Sequence, residues 1–151
     1  MKRRRSRIAV MLLALLGSLF GSVQASATPT QPIGIAADIV NVAIAPADGR
    51  VNCFGYVGIF KPGSSVMVVN WDTSTLNECF GVTTDRTIWH TWPGAGGWTR
   101  MPGNGRGDDI NTVVGEAPDG TRLVSVRVAG STLWCQYYFS GSGWTGSWFR
   151  C

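Results

Sequence analysis

The chain has 151 residues, of which 44% are hydrophobic and 15% charged, and its formal net charge is +4. Five of the 13 basic residues lie in the first 27 positions, which hold no acidic residue, so residues 28–151 carry eight basic side chains against nine acidic ones. This balance excludes the basic stripe with which a nucleic-acid-binding protein displaces counterions from phosphates.

The first 27 residues predict a cleavable signal peptide. A basic start at 1–7 precedes an apolar run at 8–20, and residues 25–27 (Ala-Ser-Ala) supply the small side chains of a cleavage site. The apolar run is shorter than the about 20 residues that cross a bilayer. We therefore expect a secreted, extracellular protein with no membrane insertion, in which a flexible lead-in at 28–35 is followed by one domain at 36–151.

Short β-branched or aromatic runs recur through this domain and are broken by Gly, Pro, Asp and Asn. The clearest runs are residues 39–44, 65–71 and 122–128. No segment of the domain has the sustained 3.6-residue apolar period of an amphipathic helix. Short strands with regular turn residues between them predict an all-β domain.

The domain also contains an internal repeat. Trp89 and Trp134 lie 45 residues apart, and Trp98 and Trp144 lie 46 residues apart. Each copy holds four predicted strands, and this period and strand number are typical of a β-propeller blade. We expect a partial propeller of about two and a half four-stranded blades. The predicted blades are a partial one at approximately 36–63 and full ones at 64–107 and 108–151.

The repeat resembles the PLL-like, fucose-lectin-type β-propeller family. The shared pattern is an Asp-Gly turn, a strand, a small turn, a strand with an aromatic residue and a histidine, and Gly-Trp on the last strand. Residues 65–104 carry it best, and residues 109–148 carry it nearly as well. The resemblance implies a lectin-like protein with shallow aromatic sites between blades, with glycans or glycoproteins as partners and no cofactor.

The number of blades predicts self-association. Two and a half blades leave an apolar sheet face uncovered at each end, and exposed faces and strand edges of this kind usually mark association. Relatives of this type close a ring of blades within one chain or by oligomerisation. We therefore expect a homo-oligomer, with a disulfide-stapled monomer as the competing possibility.

Aromatic side chains, with one histidine and one arginine, are the candidate sugar-binding groups. An indole ring stacks on the apolar face of a pyranose, whereas a guanidinium donates paired hydrogen bonds to hydroxyls. The alternative interpretation places the tryptophans in the core between two sheets. Alternation along a strand puts Trp92 on the same face as His90 and opposite to Trp89. The candidates are His90, Trp92, Trp98, Arg100, Tyr138, Trp144 and Trp148.

The four cysteines predict two disulfides, because an exported chain with an even number of cysteines oxidises them in pairs. Four cysteines allow three pairings. In the repeat, Cys53 and Cys79 occupy equivalent places on consecutive copies, and Cys135 and Cys151 fall on neighbouring antiparallel strands. We expect the pairs Cys53–Cys79 and Cys135–Cys151. No metal site is expected, because no two cysteines have C-x-x-C spacing and no EF-hand spacing occurs.

Catalysis is not expected from this sequence. A Ser/His/Asp arrangement would depend on His90, the only histidine, and the chain has no G-x-S-x-G motif. Glycoside hydrolysis requires two carboxyl groups at a fixed separation, and the only glutamates, Glu78 and Glu116, have no evident partner. A secreted protein-binding module without sugar binding is the second interpretation, and a small extracellular hydrolase is the third.

Overall fold

The computed structural model describes residues 38–71, 78–114 and 119–151. Every regular element in these ranges is a β-strand, so the predicted all-β class is confirmed. The predicted signal peptide and lead-in lie outside the described residues. Within the described ranges, no helix has the length and apolar character to cross a membrane.

The strands form three antiparallel arrangements. Sheet 1 has the order β1-β4-β5-β6-β7, sheet 2 has the order β11-β10-β9-β8 with β12 also paired to β10, and β2 and β3 form a separate hairpin; none of them closes on itself. The strands are β1 (Asp38–Ile44), β2 (Arg50–Cys53), β3 (Tyr56–Ile59), β4 (Ser65–Asn70), β5 (Glu78–Val82), β6 (Ile88–Thr91), β7 (Thr99–Arg100), β8 (Asp109–Val114), β9 (Arg122–Val128), β10 (Thr132–Phe139), β11 (Gly143–Trp144) and β12 (Phe149–Arg150).

Local sequence explains the tight turn of the β2–β3 hairpin. Phe54 and Gly55 both adopt positive φ angles, of 56° and 88°. A two-residue turn of this kind matches the right-handed twist of the strands that it joins. The side chain of Asn52 accepts a hydrogen bond of 3.0 Å from the Gly55 amide and so closes the turn.

Sheet 1 is the middle layer of the domain. On one face, Phe80 and Val82 belong to a buried cluster that they share with Val124 and Val126 of sheet 2. On the other face, Cys79 belongs to a second cluster with residues of the hairpin. Because both faces are covered, all five residues of β5 are buried. Full burial of a valine or phenylalanine side chain contributes about 1.5–3 kcal/mol, so these two clusters hold the layers together.

Sheets 1 and 2 repeat the same strand pairing. Gly81 pairs with Trp89 in sheet 1. Val126 pairs with Trp134 in sheet 2, so each residue of the pair has its counterpart 45 residues further along the chain. The same offset relates the other pairs of β5–β6 to those of β9–β10. The sequence spacing between Trp89 and Trp134 therefore corresponds to a structural equivalence.

The outer strands show a different equivalence from the one that spacing predicts. Arg100 pairs with Trp89 on β6, and Arg150 pairs with Trp134 on β10. Trp98 and Trp148 each lie two residues before these arginines. The counterpart of Trp98 is therefore Trp148, and the assignment to Trp144 is corrected. The reason is that the chain first forms β11 beside the far end of β10 and only then returns as β12.

Candidate functional site

The structure divides the candidate sugar-binding residues other than Arg100 among three places. Two are grooves that contain equivalent pairs of tryptophans, and the third is a buried polar cluster between the sheets. We refer to them as the tryptophan groove (Trp134 and Trp148), the small groove (Trp89 and Trp98) and the Glu78 cluster (Glu78, His90, Trp71, Trp144 and Arg122).

The tryptophan groove lies where sheet 1 meets sheet 2 and has a volume of about 500 Å³. The turn between β5 and β6 contributes one wall, the segment between β7 and β8 another, and sheet 2 with the loop before β12 the rest. Trp134 is 37% exposed, which is unusual for so large an apolar side chain and leaves part of its ring available. The lining includes Arg86, Asn104, Arg106, Val128, Trp134 and Trp148.

Close packing fixes the position of Trp148 in this groove. Its Nε1 donates a hydrogen bond of 3.3 Å to the carbonyl of Pro102. The same carbonyl accepts a bond of 3.0 Å from Nε2 of Gln136, which is fully buried. Gly105 lies directly against the indole, because a Cβ at that position would come within 2.4 Å of it. The indole therefore depends on a glycine at position 105.

The carboxylate of Asp108 organises the polar wall of the tryptophan groove. Arg86 Nε lies 2.9 Å from a carboxylate oxygen of Asp108. The backbone amide of Ala129 donates a bond of 2.8 Å to Asp108. This bond, and then the positive charge of Arg86, lower the pKa of Asp108. The ion pair thus holds the Arg86 side chain at the boundary between the two sheets.

The turn between β5 and β6 is ordered by Asp85. Hydrogen bonds from the hydroxyl of Thr83, and then from the hydroxyl and amide of Thr87, lower the pKa of Asp85 to about 2. The positive charge of Arg106 acts in the same direction. Thr87 in turn accepts a bond of 2.8 Å from Nε1 of Trp89, so the turn and the tryptophan of the small groove are connected.

The small groove lies between the hairpin and sheet 1 and has a volume of about 200 Å³. Phe60 is 1% exposed. It packs edge-on against Trp98, with 4.5 Å between ring centroids. Nε1 of Trp98 donates a bond of 3.1 Å to the carbonyl of Tyr56. The space that is open in the tryptophan groove is therefore largely filled by protein side chains in the small groove.

The Glu78 cluster is a buried polar contact between the two sheets. Glu78 Oε1 lies 2.6 Å from His90 Nδ1 and accepts a bond of 3.2 Å from Nε1 of Trp144. The second oxygen accepts a bond of 2.7 Å from Nε1 of Trp71. Arg122 Nη1 lies 3.9 Å from that oxygen. One carboxylate of sheet 1 thus engages two residues of sheet 2.

Aromatic rings surround the Glu78 cluster. The Arg122 guanidinium lies 5.0 Å from the ring centroid of Trp71 and 4.6 Å from that of Tyr138. Trp92 packs on His90 with 5.1 Å between centroids and is 38% exposed. The fold therefore brings together four of the candidates, which are His90, Trp92, Tyr138 and Trp144.

The other three candidates lie elsewhere. Trp98 lines the small groove and Trp148 lines the tryptophan groove. Arg100 is exposed on β7, beside Trp89, and is not among the lining residues described for either groove.

Sequence reasoning missed several residues that the fold brings to these places. Arg86, Asn104 and Arg106 belong to turns and loops, where polar side chains carry no periodic signal. Glu78 could have been noticed as a charged residue at the start of a predicted strand. The Trp-x-Arg motif that occurs at Trp98 and again at Trp148 would have predicted their equivalence.

Two disulfides join the pairs of cysteines that the repeat predicts. Cys53 of the hairpin is bonded to Cys79 of sheet 1. Cys135 of β10 is bonded to Cys151, with 5.8 Å between the Cα atoms, and this bond holds the end of β12 beside Trp134. The second disulfide therefore stabilises the side of the tryptophan groove that carries Trp148.

No group of three or more His, Cys, Asp or Glu side chains that could hold a metal ion is found in the described part of the chain. Comparison with known proteins gives no match to a family model, to a curated protein or to a solved structure.

Proposed function

We propose that this chain is a secreted carbohydrate-binding protein and that the tryptophan groove is its binding site. The observation that carries the proposal is the pairing of two tryptophans, one of them 37% exposed, with polar side chains around about 500 Å³ of open space. Pyranose rings combine apolar faces with hydroxyl edges, and this groove offers a complement to both.

Each type of side chain in the groove has a role in this proposal. The indole rings of Trp134 and Trp148 provide surfaces on which a sugar ring stacks. The side chains of Arg86, Asn104 and Arg106 provide N–H donors for hydroxyl oxygens, and the Asn104 amide also provides an acceptor. Secretion agrees with the predicted signal peptide and with the two disulfides, which persist in oxidising compartments.

We propose that sheets 1 and 2 are consecutive blades of an open propeller of the PLL-like type. In support, strands β4–β6 and strands β8–β10 each follow one another in order across a sheet, and their registers repeat after 45 residues. Strand β12 then pairs with β10 where β7 pairs with β6. The face of sheet 2 that packs on sheet 1 is also equivalent to the face of sheet 1 that packs on the hairpin.

The outer face of sheet 2 is proposed to bind a second copy of the chain. Ser125 and Cys135 on that face are the counterparts of Phe80 and His90, which sheet 2 covers. The same face exposes Tyr137, which stacks on Phe139 at 5.8 Å and on Phe149 at 5.0 Å. A continued repeat of the packing would place a further sheet against this face, and we propose that another copy of this chain supplies it.

Binding of a different protein without sugar is the second candidate function. The hairpin exposes Val57 and Ile59, at 50% and 54%, and exposed apolar side chains of this kind mark contact surfaces. Free sugar would compete with the bound partner in the first function and would have no effect in the second.

A glycan array followed by calorimetric titration tests the sugar-binding proposal. Trp134→Ala is expected to weaken binding by about tenfold, because it removes both the stacking contribution, about 0.5–1.5 kcal/mol, and the apolar area that the ring buries against the sugar. Trp92→Ala removes an equally exposed indole outside the groove and serves as the matched control. Flat titrations at millimolar concentrations of every array sugar would refute the proposal.

A further inference from the structure

We infer that the tryptophan groove selects an acidic glycan, in which carboxylate or sulfate groups are carried on the sugar rings. This inference rests on the proposed carbohydrate-binding function and specifies the class of ligand. The observation behind it is the charge of the groove wall, which the indole rings alone do not explain.

Two guanidinium groups line the tryptophan groove, from Arg86 and Arg106. Among the lining residues that the structure describes, no carboxylate accompanies them. Guanidinium groups bind carboxylate and sulfate oxygens through paired, charge-assisted hydrogen bonds, which are roughly twice as strong as bonds between neutral groups. Neutral sugar hydroxyls would use the same donors without this gain.

The carboxylates next to the groove, Asp108 and Asp85, are engaged outside its described lining. Asp108 is shared between Arg86, at 2.9 Å, and Lys61, at 3.9 Å. Asp85 accepts hydrogen bonds from the hydroxyls of Thr83 and Thr87 in its own turn. Neither carboxylate is among the described lining residues, so the surface that a ligand meets in the groove presents the two guanidinium groups.

The side chains of Arg86 and Arg106 also remain accessible to a ligand. The Arg86 side chain is 43% exposed although it is paired with Asp108. Arg106 is exposed, and its guanidinium contacts the neighbouring carbonyl of Gly105 at 3.3 Å. A ligand can thus reach both groups without first separating a buried ion pair.

The small groove provides an internal comparison. Its tryptophans, Trp89 and Trp98, are the counterparts of Trp134 and Trp148. The lining residues described there are apolar or uncharged, and Phe60 fills much of the space. The two cations are therefore particular to the tryptophan groove and do not follow from the repeated fold.

The positive charge is local, because residues 28–151 carry eight basic side chains against nine acidic ones. General attraction between the protein and a polyanion is consequently weak. A preference for acidic sugars would arise from the groove itself and would decline with salt, since the arginines are exposed and the Debye length falls to about 8 Å at physiological ionic strength.

Calorimetric titration of the secreted chain, residues 28–151 with both disulfides intact, tests the inference. The probes are an oligogalacturonate, a sulfated galactose oligomer and a neutral galactose oligomer of the same length, each at low and at physiological salt. We expect at least one acidic probe to bind about tenfold tighter than the neutral one, which corresponds to one charge-assisted contact. The two acidic probes distinguish carboxylate from sulfate recognition.

Arg106→Gln is expected to bring the affinity for the acidic probes down to that for the neutral oligomer, because glutamine keeps N–H donors for hydroxyls but lacks the positive charge. Arg100→Gln, which alters an exposed arginine outside the described groove lining, is the matched control and should retain the preference for acidic probes. Equal binding of all three oligomers by the unaltered chain would overturn the inference but leave the proposed function standing. Undiminished acidic binding by Trp134→Ala would also overturn it, because the attraction would then be independent of the groove. Absence of binding to any glycan would refute the proposed function itself.

Discussion

Glu78 Oε1 lies 2.6 Å from His90 Nδ1, and the side chains of both residues are no more than 7% exposed. Their strands, β5 and β6, are neighbours in sheet 1, and Phe80 pairs directly with His90 between them. Through Trp144, the same carboxylate also reaches sheet 2. The Glu78 carboxylate therefore links two strands of sheet 1 and also links sheet 1 to sheet 2.

Substitution of this carboxylate should destabilise the protein strongly. Glu78→Gln keeps the shape of the side chain but removes the charge that faces His90, Trp71 and Arg122. We expect a loss of about 3 kcal/mol in the free energy of unfolding, the scale for removal of one partner from a buried ionic network. Chemical denaturation measures it, with the exposed Asp48→Asn as the control. A loss as small as that of the control would contradict the role of the Glu78 cluster.

The stability of the chain should fall at acidic pH in a way that depends on Asp85. The pKa of Asp85 in the folded state is about 2, against an ordinary value of 3.8. Because the pKa of Asp85 is lower in the folded state, its ionised carboxylate stabilises the fold at pH values above 3.8. This stabilisation is lost as the pH falls through about 2. In urea titrations between pH 5 and pH 2, Asp85→Asn should show a flatter dependence than the unaltered chain. Identical slopes for the two proteins would count against this prediction.

Gly105→Ala should impair sugar binding with little effect on folding. The added methyl would come within 2.4 Å of the Trp148 indole and would displace it from the tryptophan groove. Trp148 is only half-buried, so the methyl can displace the ring toward solvent, and we expect the change in stability to stay within about 1 kcal/mol. Affinity and thermal unfolding measured on one preparation separate the two effects. Unaltered affinity would mean that the position of the indole is unimportant for binding.

The two disulfides should differ in their effect on binding. Removal of Cys135–Cys151, which closes a loop with a sequence separation of 16, is expected to cost about 3 kcal/mol. It should also weaken sugar binding, because β12 holds Trp148 beside Trp134. Removal of Cys53–Cys79 should lower stability but leave affinity unchanged. The measurements are denaturation and titration of two double Cys→Ser variants, and equal loss of affinity in both would contradict the prediction.

Self-association should depend on the exposed aromatic face of sheet 2. Tyr137 and Phe139 are 40% and 44% exposed and lie where a further sheet is proposed to pack. Analytical ultracentrifugation is expected to detect oligomers of the chain, and the Tyr137→Ser/Phe139→Ser variant should shift them toward monomers. A monomeric unaltered chain at micromolar concentration would refute the proposed assembly.

The sequence by itself determined the secondary-structure class and part of the repeat. Alternating β-branched runs with Gly and Asp turns form strands because extended chains pack such side chains well and turns require these residues. Trp89 and Trp134, 45 residues apart, are structurally equivalent, because they occupy the same position on β6 and β10. Cysteine number and the repeat were sufficient to predict the observed pairs.

Only the tertiary structure decided which residues share a site. Trp148 replaces Trp144 as the counterpart of Trp98 because loop length changes sequence spacing without changing strand pairing. Arg86 meets Trp134 because two sheets pack against each other, and no local pattern records a contact between sheets. His90 lies near Glu78 because the two residues are on neighbouring strands of one sheet, where side chains meet whatever their separation along the chain.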